Sequence, residues 1–80
     1  MARTYRPLPT GTRVKLRGAP SGVTLRNPMG IIIGPDPDWA GYYRVRLDEP
    51  ASYHRSDGTT EPLPVLREAD DNLDIVQPDR

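Results

Sequence analysis

The side chains of this chain that could carry out chemistry are few and isolated from one another. The only histidine is His54, and no other ligand type follows it at a spacing that would complete a metal site. The segment 36–41 opens with two aspartates like a calcium-binding loop, but Leu47 stands where that loop needs its closing glutamate. The serines have no histidine and aspartate as partners, and no glycine-rich phosphate loop occurs. The sequence therefore predicts no catalytic residue, no cofactor and no metal site.

The densest group of carboxylates is formed by Asp70, Asp71 and Asp74. Paired carboxylates can perform acid–base chemistry when burial raises the pKa of one of them. These three fall at a predicted turn. We therefore expect them to be solvated, or to pair with Arg13 or Arg17 on a neighbouring strand.

The best candidate binding surface is a row of alternating residues, Tyr42, Arg44 and Arg46, on the outward side of one predicted strand. A second basic strand could lie beside it and add Arg13, Lys15 and Arg17. Arginines interleaved with aromatic rings can bind phosphates and stack on bases, which would suit a nucleic acid. The alternative is an ordinary solvated strand face whose arginines pair with the chain's own acids.

Aromatic residues offer a second kind of surface. Trp39, Tyr42 and Tyr53 could group on one side of the protein as an exposed patch for a partner, or they could pack in the core. Ile32 lies between two other isoleucines, and a small barrel has one interior, so we expect Ile32 to point outward. It would then lie beside this patch in an interface with a partner or a second copy, or alternatively be covered by the long loop at 18–28. The predicted partner-binding residues are Ile32, Trp39, Tyr42, Arg44, Arg46 and Tyr53.

Short strands with turn residues between them must position these side chains. Alternating or apolar runs predict strands at 12–17, 29–34, 42–48, 65–67 and 74–76. Between them lie a long loop at 18–28, a turn at 35–41, a polar loop at 49–63 and a single 3₁₀ turn at 69–73. One face of each strand must be buried. The predicted core is Val14, Leu16, Ile31, Ile33, Tyr43, Val45, Leu47, Val65, Leu73 and Ile75.

Charge is unevenly distributed although the net charge is zero. Residues 1–46 hold eight cations and two acids, and residues 47–80 hold nine acids and three cations. Because the terminal strands of a barrel lie side by side, we expect the two halves to neutralise each other. The alternative is a dipolar surface with a basic side for nucleic acid or an acidic partner.

Length and composition indicate one small domain of 80 residues. We expect a flexible N-terminal arm at 1–10, the folded domain at 11–76 and a polar tail at 77–80. The absence of cysteine excludes a disulfide framework and favours a cytoplasmic location. No apolar run approaches the length of a membrane span, so we expect no membrane partner.

Four motifs resemble the SH3-like barrels: Gly11-x-x-Val14, Gly30-Ile31-Ile32, Tyr43-x-Val45-x-Leu47 and Asn72-Leu73-x-Ile75-Val76. The resemblance covers residues 11–76 and implies an all-β, five-stranded barrel with a short 3₁₀ turn before the last strand. Within that class, KOW modules are similar at the first two of these motifs. Barrels of nitrile hydratase β-subunits and of other accessory subunits are similar in their basic first strand. The type II dihydrofolate reductases are similar in length, but residues 65–68 depart from their Val-Gln-Ile-Tyr strand.

The predicted function is that of a non-enzymatic module that binds a protein partner or a second copy of itself. The first alternative is a nucleic-acid-binding barrel that uses the arginine-rich strand faces. The second is an oligomeric enzyme resembling the type II reductases, which would need several copies to build a shared pore.

Overall fold

A computed structural model describes residues 8–76 as an antiparallel all-β protein. Most of the predicted arm, residues 1–7, and all of the predicted tail, residues 77–80, lie outside the described residues. The strands are β1 (Arg13–Leu16), β2 (Val23–Thr24), β3 (Met29–Pro35), β4 (Tyr42–His54), β5 (Thr60–Ala69) and β6 (Leu73–Ile75). A 3₁₀ turn at Asp70–Asn72 separates β5 from β6, as the sequence predicts.

Strand β4 organises the sheet because it is long enough to serve three neighbours. Its first half pairs with β3, its second half pairs with β2, and β5 follows its other edge across a register shift between Arg46 and Ala51. Beyond β3 come β1 and then β6. The sheet of described strands is open: its pairing order is β2-β4-β3-β1-β6 with β5 on the other edge of β4, and β6 pairs with neither β2 nor β5. It has six strands, so the prediction of five is wrong: the additional strand is β2, inside the predicted long loop.

The predicted polar loop at 49–63 is also wrong, because most of it forms a hairpin. β4 continues to His54, and β5 begins at Thr60. Ala51 is buried opposite Leu63, which ties this extension to the core. The turn is closed by the Asp57 carboxylate, which accepts a hydrogen bond of 2.9 Å from the backbone N–H of Thr59. The hairpin escapes sequence analysis because its end beyond Ala51 and Leu63 is mostly polar and exposed, so no alternating apolar pattern runs through it.

The core lies on one face of the sheet and confirms six of the ten predicted core residues: Val14, Leu16, Tyr43, Val45, Leu47 and Leu73. Three further buried residues, Ile32, Ala51 and Leu66, complete it. Leu8 packs against this cluster, and its backbone N–H donates to the Tyr43 hydroxyl at 2.9 Å. The chain therefore joins the core before β1 begins.

Strand β3 faces the opposite way from the prediction. Ile32 is 0% exposed and Ile31 is 36% exposed, so placing Ile32 outside and Ile31 inside is wrong. Gly30 explains the inversion. A Cβ there would lie 2.7 Å from the Arg46 carbonyl oxygen, so the position tolerates only glycine against β4. Alternation from an inward Gly30 places Ile32 in the core and Ile31 outside.

Three more predicted core residues lie outside the buried cluster. Ile33 is only partly buried, beside a β-bulge. Val65 lies opposite the outward Arg46, whereas its neighbour Leu66 lies opposite the buried Val45. Ile75 is 50% exposed because it lies on β6, the last strand of the open sheet. In each case the residue type is apolar, but strand pairing decides how much of it is covered.

Candidate binding surface

The side of the sheet turned away from the core, here called the outer face, carries the arginines of β4. Alternation along β4 buries Tyr43 and Val45 and leaves Arg44 and Arg46 exposed. Strand pairing supplies their neighbours. The outer face consists of Ile31, Tyr42, Arg44, Arg46, Val65 and Arg67, with Trp39 in the adjoining loop.

The loop at 36–41 holds Trp39 in a defined place next to this face. The carboxylate of Asp36, whose side chain is 2% exposed, accepts hydrogen bonds from the backbone N–H groups of Asp38 at 2.9 Å and Trp39 at 3.1 Å. The Asp36 backbone N–H also donates to the Tyr42 carbonyl at 2.9 Å. Asp36 therefore ties both ends of the loop together, as aspartates do when they bond their own backbone.

Arg67 on β5 connects the loop to the outer face. Its Nε donates to the second oxygen of Asp36. Its guanidinium carbon lies 4.4 Å from the centre of the Trp39 ring, in a cation–π contact. The Trp39 ring meets the Tyr42 ring edge-on, with centroids 5.1 Å apart and planes at 85°. Trp39 is nevertheless 50% exposed. A large aromatic ring is thus fixed in position and still open to solvent.

The charge on Asp36 is stabilised by its partners. Burial alone would raise the pKa of this carboxyl, but the N–H of Asp38, the Arg67 guanidinium and the N–H of Trp39 outweigh it and lower the pKa. The carboxylate is therefore ionised at neutral pH and holds Arg67 as a charged pair.

Arg44 and Arg67 face each other directly across β4 and β5. Like charges in opposite positions destabilise a sheet unless something compensates them. Asp36 compensates Arg67, whereas no acid within residues 8–76 forms an ion pair with Arg44 or with Arg46. A cleft of about 220 Å³ lies here, lined by Asp36, Arg44, Val65, Leu66 and Arg67.

Other arginines are neutralised within the protein. Arg17 pairs with Asp74 at 2.8 Å, which confirms the predicted pairing with the last strand, whereas Arg13 pairs at 2.5 Å with Asp48 on β4. These contacts join the basic first half of the chain to acids of the second half. Arg13 and Arg17 of the predicted basic row are therefore neutralised, whereas Lys15 forms no ion pair within residues 8–76. The unpaired arginines nearest Trp39 lie on β4.

The structure brings together four of the six predicted site residues: Trp39, Tyr42, Arg44 and Arg46. Ile32 is separated from them because it lies in the core. Tyr53 lies in the second half of β4, opposite Val23 of β2. It belongs to the end of the β4–β5 hairpin formed by residues 51–63, here called the far hairpin. Sequence analysis missed Asp36 and Arg67 as parts of the surface, because they are 31 positions apart and only strand pairing brings them together.

A second cleft and a buried carboxyl group are the other candidate sites among the described residues. The second cleft, of about 380 Å³, lies along the β4–β5 hairpin and is lined by three charged residues (Arg26, Glu49 and Glu61), two prolines and the small residues Ala51, Ser52 and Thr60. Glu68 is buried, with one oxygen bonded to the Asn72 amide and the other without a partner among the described residues. Burial raises the pKa of the Glu68 carboxyl, and the Asn72 hydrogen bond opposes that rise. Within residues 8–76, no three histidine, aspartate or glutamate side chains are grouped so as to hold a metal ion.

Comparisons with known proteins do not assign a function to this chain, so the function is argued from the geometry of the surface. No protein family model matches the chain, and neither a curated protein nor a solved structure matches it. In the described part of the chain, no helix is long and apolar enough to cross a membrane. The outer face around Trp39 is therefore the candidate site on which a function can be argued.

Proposed function

We propose that this chain is a non-enzymatic SH3-like interaction module that binds a protein partner through the outer face. The observation that carries the proposal is Trp39, which is half exposed although Arg67 and Tyr42 hold it in place. An ordered aromatic ring loses little conformational entropy when a partner covers it, and tryptophan and arginine are enriched among the residues that dominate binding energy. We keep a cytoplasmic location as part of the proposal, on the cysteine-free sequence.

The order of the elements supports the SH3-like assignment. The chain runs from a first strand through a long loop to three successive antiparallel strands, then through a 3₁₀ turn to a last strand that returns to pair with the first. The sequence of strand, long loop, strands, 3₁₀ turn and strand is typical of SH3-like barrels. Such barrels serve many functions, so the binding role is argued from the surface.

The composition of the outer face favours a protein over a nucleic acid. Ile31 and Val65 flank Arg46 on β3 and β5, so aliphatic side chains alternate with the arginines. Protein interfaces combine aromatic, aliphatic and arginine side chains in this way. Asp36 and Asp38 lie in the loop that carries Trp39, and carboxylates repel a phosphate backbone. The chain's zero net charge points the same way.

Nucleic-acid binding remains the second candidate because Arg44 and Arg46 have no acidic partner within the described residues. Arginines beside an exposed tryptophan can contact phosphates and stack on bases. The reductase-like alternative stays a prediction, and no contact described here favours it.

Site-specific photo-crosslinking in cells that express the protein tests the proposal. A photoreactive residue replaces Ile31 on the outer face, and in the control it replaces Thr59 in the exposed β4–β5 turn. We expect a discrete protein adduct from position 31 that is absent from position 59. An adduct with nucleic acid would favour the second candidate, and equal labelling from both positions would contradict a binding surface on the outer face. An adduct with a second copy would identify the partner as the chain itself, which sedimentation would confirm.

A further inference from the structure

We infer that Arg67 and Arg44 form a recognition site for a single carboxylate, and that this site receives an aspartate or glutamate side chain of the protein partner. The inference rests on the proposed function and names the chemical group of the partner that the outer face recognises.

The contacts of Arg67 prepare its guanidinium for a planar anion. The Asp36 carboxylate accepts a hydrogen bond from Nε, and the guanidinium carbon lies over the Trp39 ring, 4.4 Å from its centre. The two terminal nitrogens, Nη1 and Nη2, meet no acceptor within residues 8–76. An arginine fixed in this way offers parallel N–H donors, which match the two oxygens of a carboxylate.

Arg44 completes the site from the opposite strand. Its guanidinium has no acid of its own in the described chain, and it lines the same cleft as Arg67. Two cations placed across from each other repel, so an anion between them would relieve a cost that the free protein carries. This cost favours binding of a negatively charged group in the cleft.

The charge balance of the cleft selects one carboxylate rather than a polyphosphate chain. Two guanidiniums and the Asp36 carboxylate leave one net positive charge in the cleft, which a single carboxylate neutralises. A phosphate backbone would bring several negative charges close to Asp36. Val65 and Leu66 supply aliphatic walls, which suit the methylene groups of an acidic side chain and its apolar neighbours in a peptide.

Intrinsic fluorescence provides a direct test because Trp39 is the chain's only tryptophan and contacts Arg67. The probes are a short capped peptide of alternating glutamate and leucine, its glutamine counterpart, and oligothymidylate. The test variant is Arg44→Gln. Its matched control is Arg55→Gln, which removes the same charge from an arginine paired with Glu61 in the far hairpin.

We expect the glutamate peptide to change the Trp39 emission saturably, and to bind about fivefold more tightly than the glutamine peptide. Arg44→Gln should remove that preference, whereas Arg55→Gln should leave it intact. Arg67→Lys, which keeps the charge and loses the planar fork, should weaken the preference as well. Circular dichroism of each variant verifies that the fold is retained.

Three results would overturn the inference. In the first, the two peptides bind equally tightly or neither binds; in the second, Arg44→Gln and Arg55→Gln have equal effects. In the third, oligothymidylate binds more tightly than the glutamate peptide and Arg44→Gln abolishes that binding. The photo-crosslinking at position 31 separates this failure from failure of the proposed function. A protein adduct there, together with no preference for glutamate, would leave the interaction module standing and remove only its carboxylate site.

Discussion

Two arginine–carboxylate pairs in this protein are chemically alike but differ in how much structure they order. Arg67 pairs with Asp36 beside Trp39, and Arg55 pairs with Glu61 in the far hairpin. The two arginine side chains are similarly exposed, at 41% and 49%, but the acids differ: Asp36 is 2% exposed and Glu61 is 43% exposed. The buried acid also binds two backbone N–H groups, so it organises a loop. The exposed acid, on β5, joins that strand to the first residue after β4 and accepts no backbone hydrogen bond within the described residues.

This difference shows how a small sheet can hold an aromatic ring in place at its surface. Buried Asp36 holds the loop and Arg67, and through them it fixes Trp39 at the surface. The far hairpin has a comparable ion pair, and Tyr53 lies opposite Glu61, but within residues 8–76 no cation–π contact joins Arg55 to that ring. The Asp36–Arg67 ion pair therefore orders this surface mainly through the loop N–H groups and the arginine that buried Asp36 binds. The attraction between the two charges contributes only a small part of the stability.

The outer face beside Trp39 includes Ile31 because β3 is buried on the Ile32 side, and the two isoleucines test this facing with the largest expected effect. Ile32→Ala should lower the free energy of unfolding by about 3 kcal/mol, because it empties part of a fully buried site. Ile31→Ala should cost less than about 1 kcal/mol. Urea unfolding of both variants measures the difference, and the reverse order would mean that the β3 register is wrong.

Neutralising the two acids tests the comparison itself. Asp36→Asn should reduce thermal stability and shift the Trp39 emission towards that of solvated indole, because the amide holds Arg67 and the loop N–H groups less strongly. Glu61→Gln should change stability by no more than about 0.5 kcal/mol, as expected for an exposed pair. Thermal unfolding followed by tryptophan fluorescence measures both effects. Similar results for the two variants would show that burial of Asp36 is unimportant.

Glu68 sharpens the comparison because it is a buried acid without a cation among the described residues. Its raised pKa means that the folded protein takes up a proton before the unfolded chain does as the pH falls. Its burial therefore costs stability above the raised pKa, and that cost is relieved between the raised pKa and the ordinary glutamate value. Glu68→Gln should stabilise the protein at neutral pH by about 1 kcal/mol.

Unfolding measured across that pH range checks this sign. The variant's advantage should shrink as the wild-type carboxyl becomes protonated. An advantage that grew on acidification would show that Glu68 is stabilised as an anion in the folded protein.

The smallest expected effect concerns the arginines outside the buried pair. Arg44→Gln should leave the free energy of unfolding unchanged, or raise it by less than about 0.5 kcal/mol, because it removes the repulsion with Arg67. Arg55→Gln should lower it slightly, since it breaks an exposed ion pair. Urea unfolding at low salt measures both. A clear loss of stability in Arg44→Gln would indicate that this arginine contributes to folding and is not simply available to bind a ligand.

Much of the fold was predictable because it depends on local alternation. Polar and apolar residues alternate clearly in β1 and in the first half of β4, and the structure confirms that Val14, Tyr43 and Val45 are buried. The 3₁₀ turn follows from a short polar segment between two strand signals. Two arginines of the site, Arg44 and Arg46, were placed on the outward side of β4 by the same alternation.

Tertiary structure alone decided the rest. Three isoleucines in a row carry no alternation, so only the close approach of Gly30 to β4 could place Ile32 inside. The end of the β4–β5 hairpin beyond Ala51 and Leu63 is mostly polar, so no apolar alternation reveals it in the sequence. Asp36 and Arg67 lie 31 positions apart, and the pairing of β4 with β5 brings them together beside Trp39. The sequence by itself determined which side chains point outward along a well-patterned strand. Which distant side chains share a surface depends on strand register, and register is a property of the folded sheet.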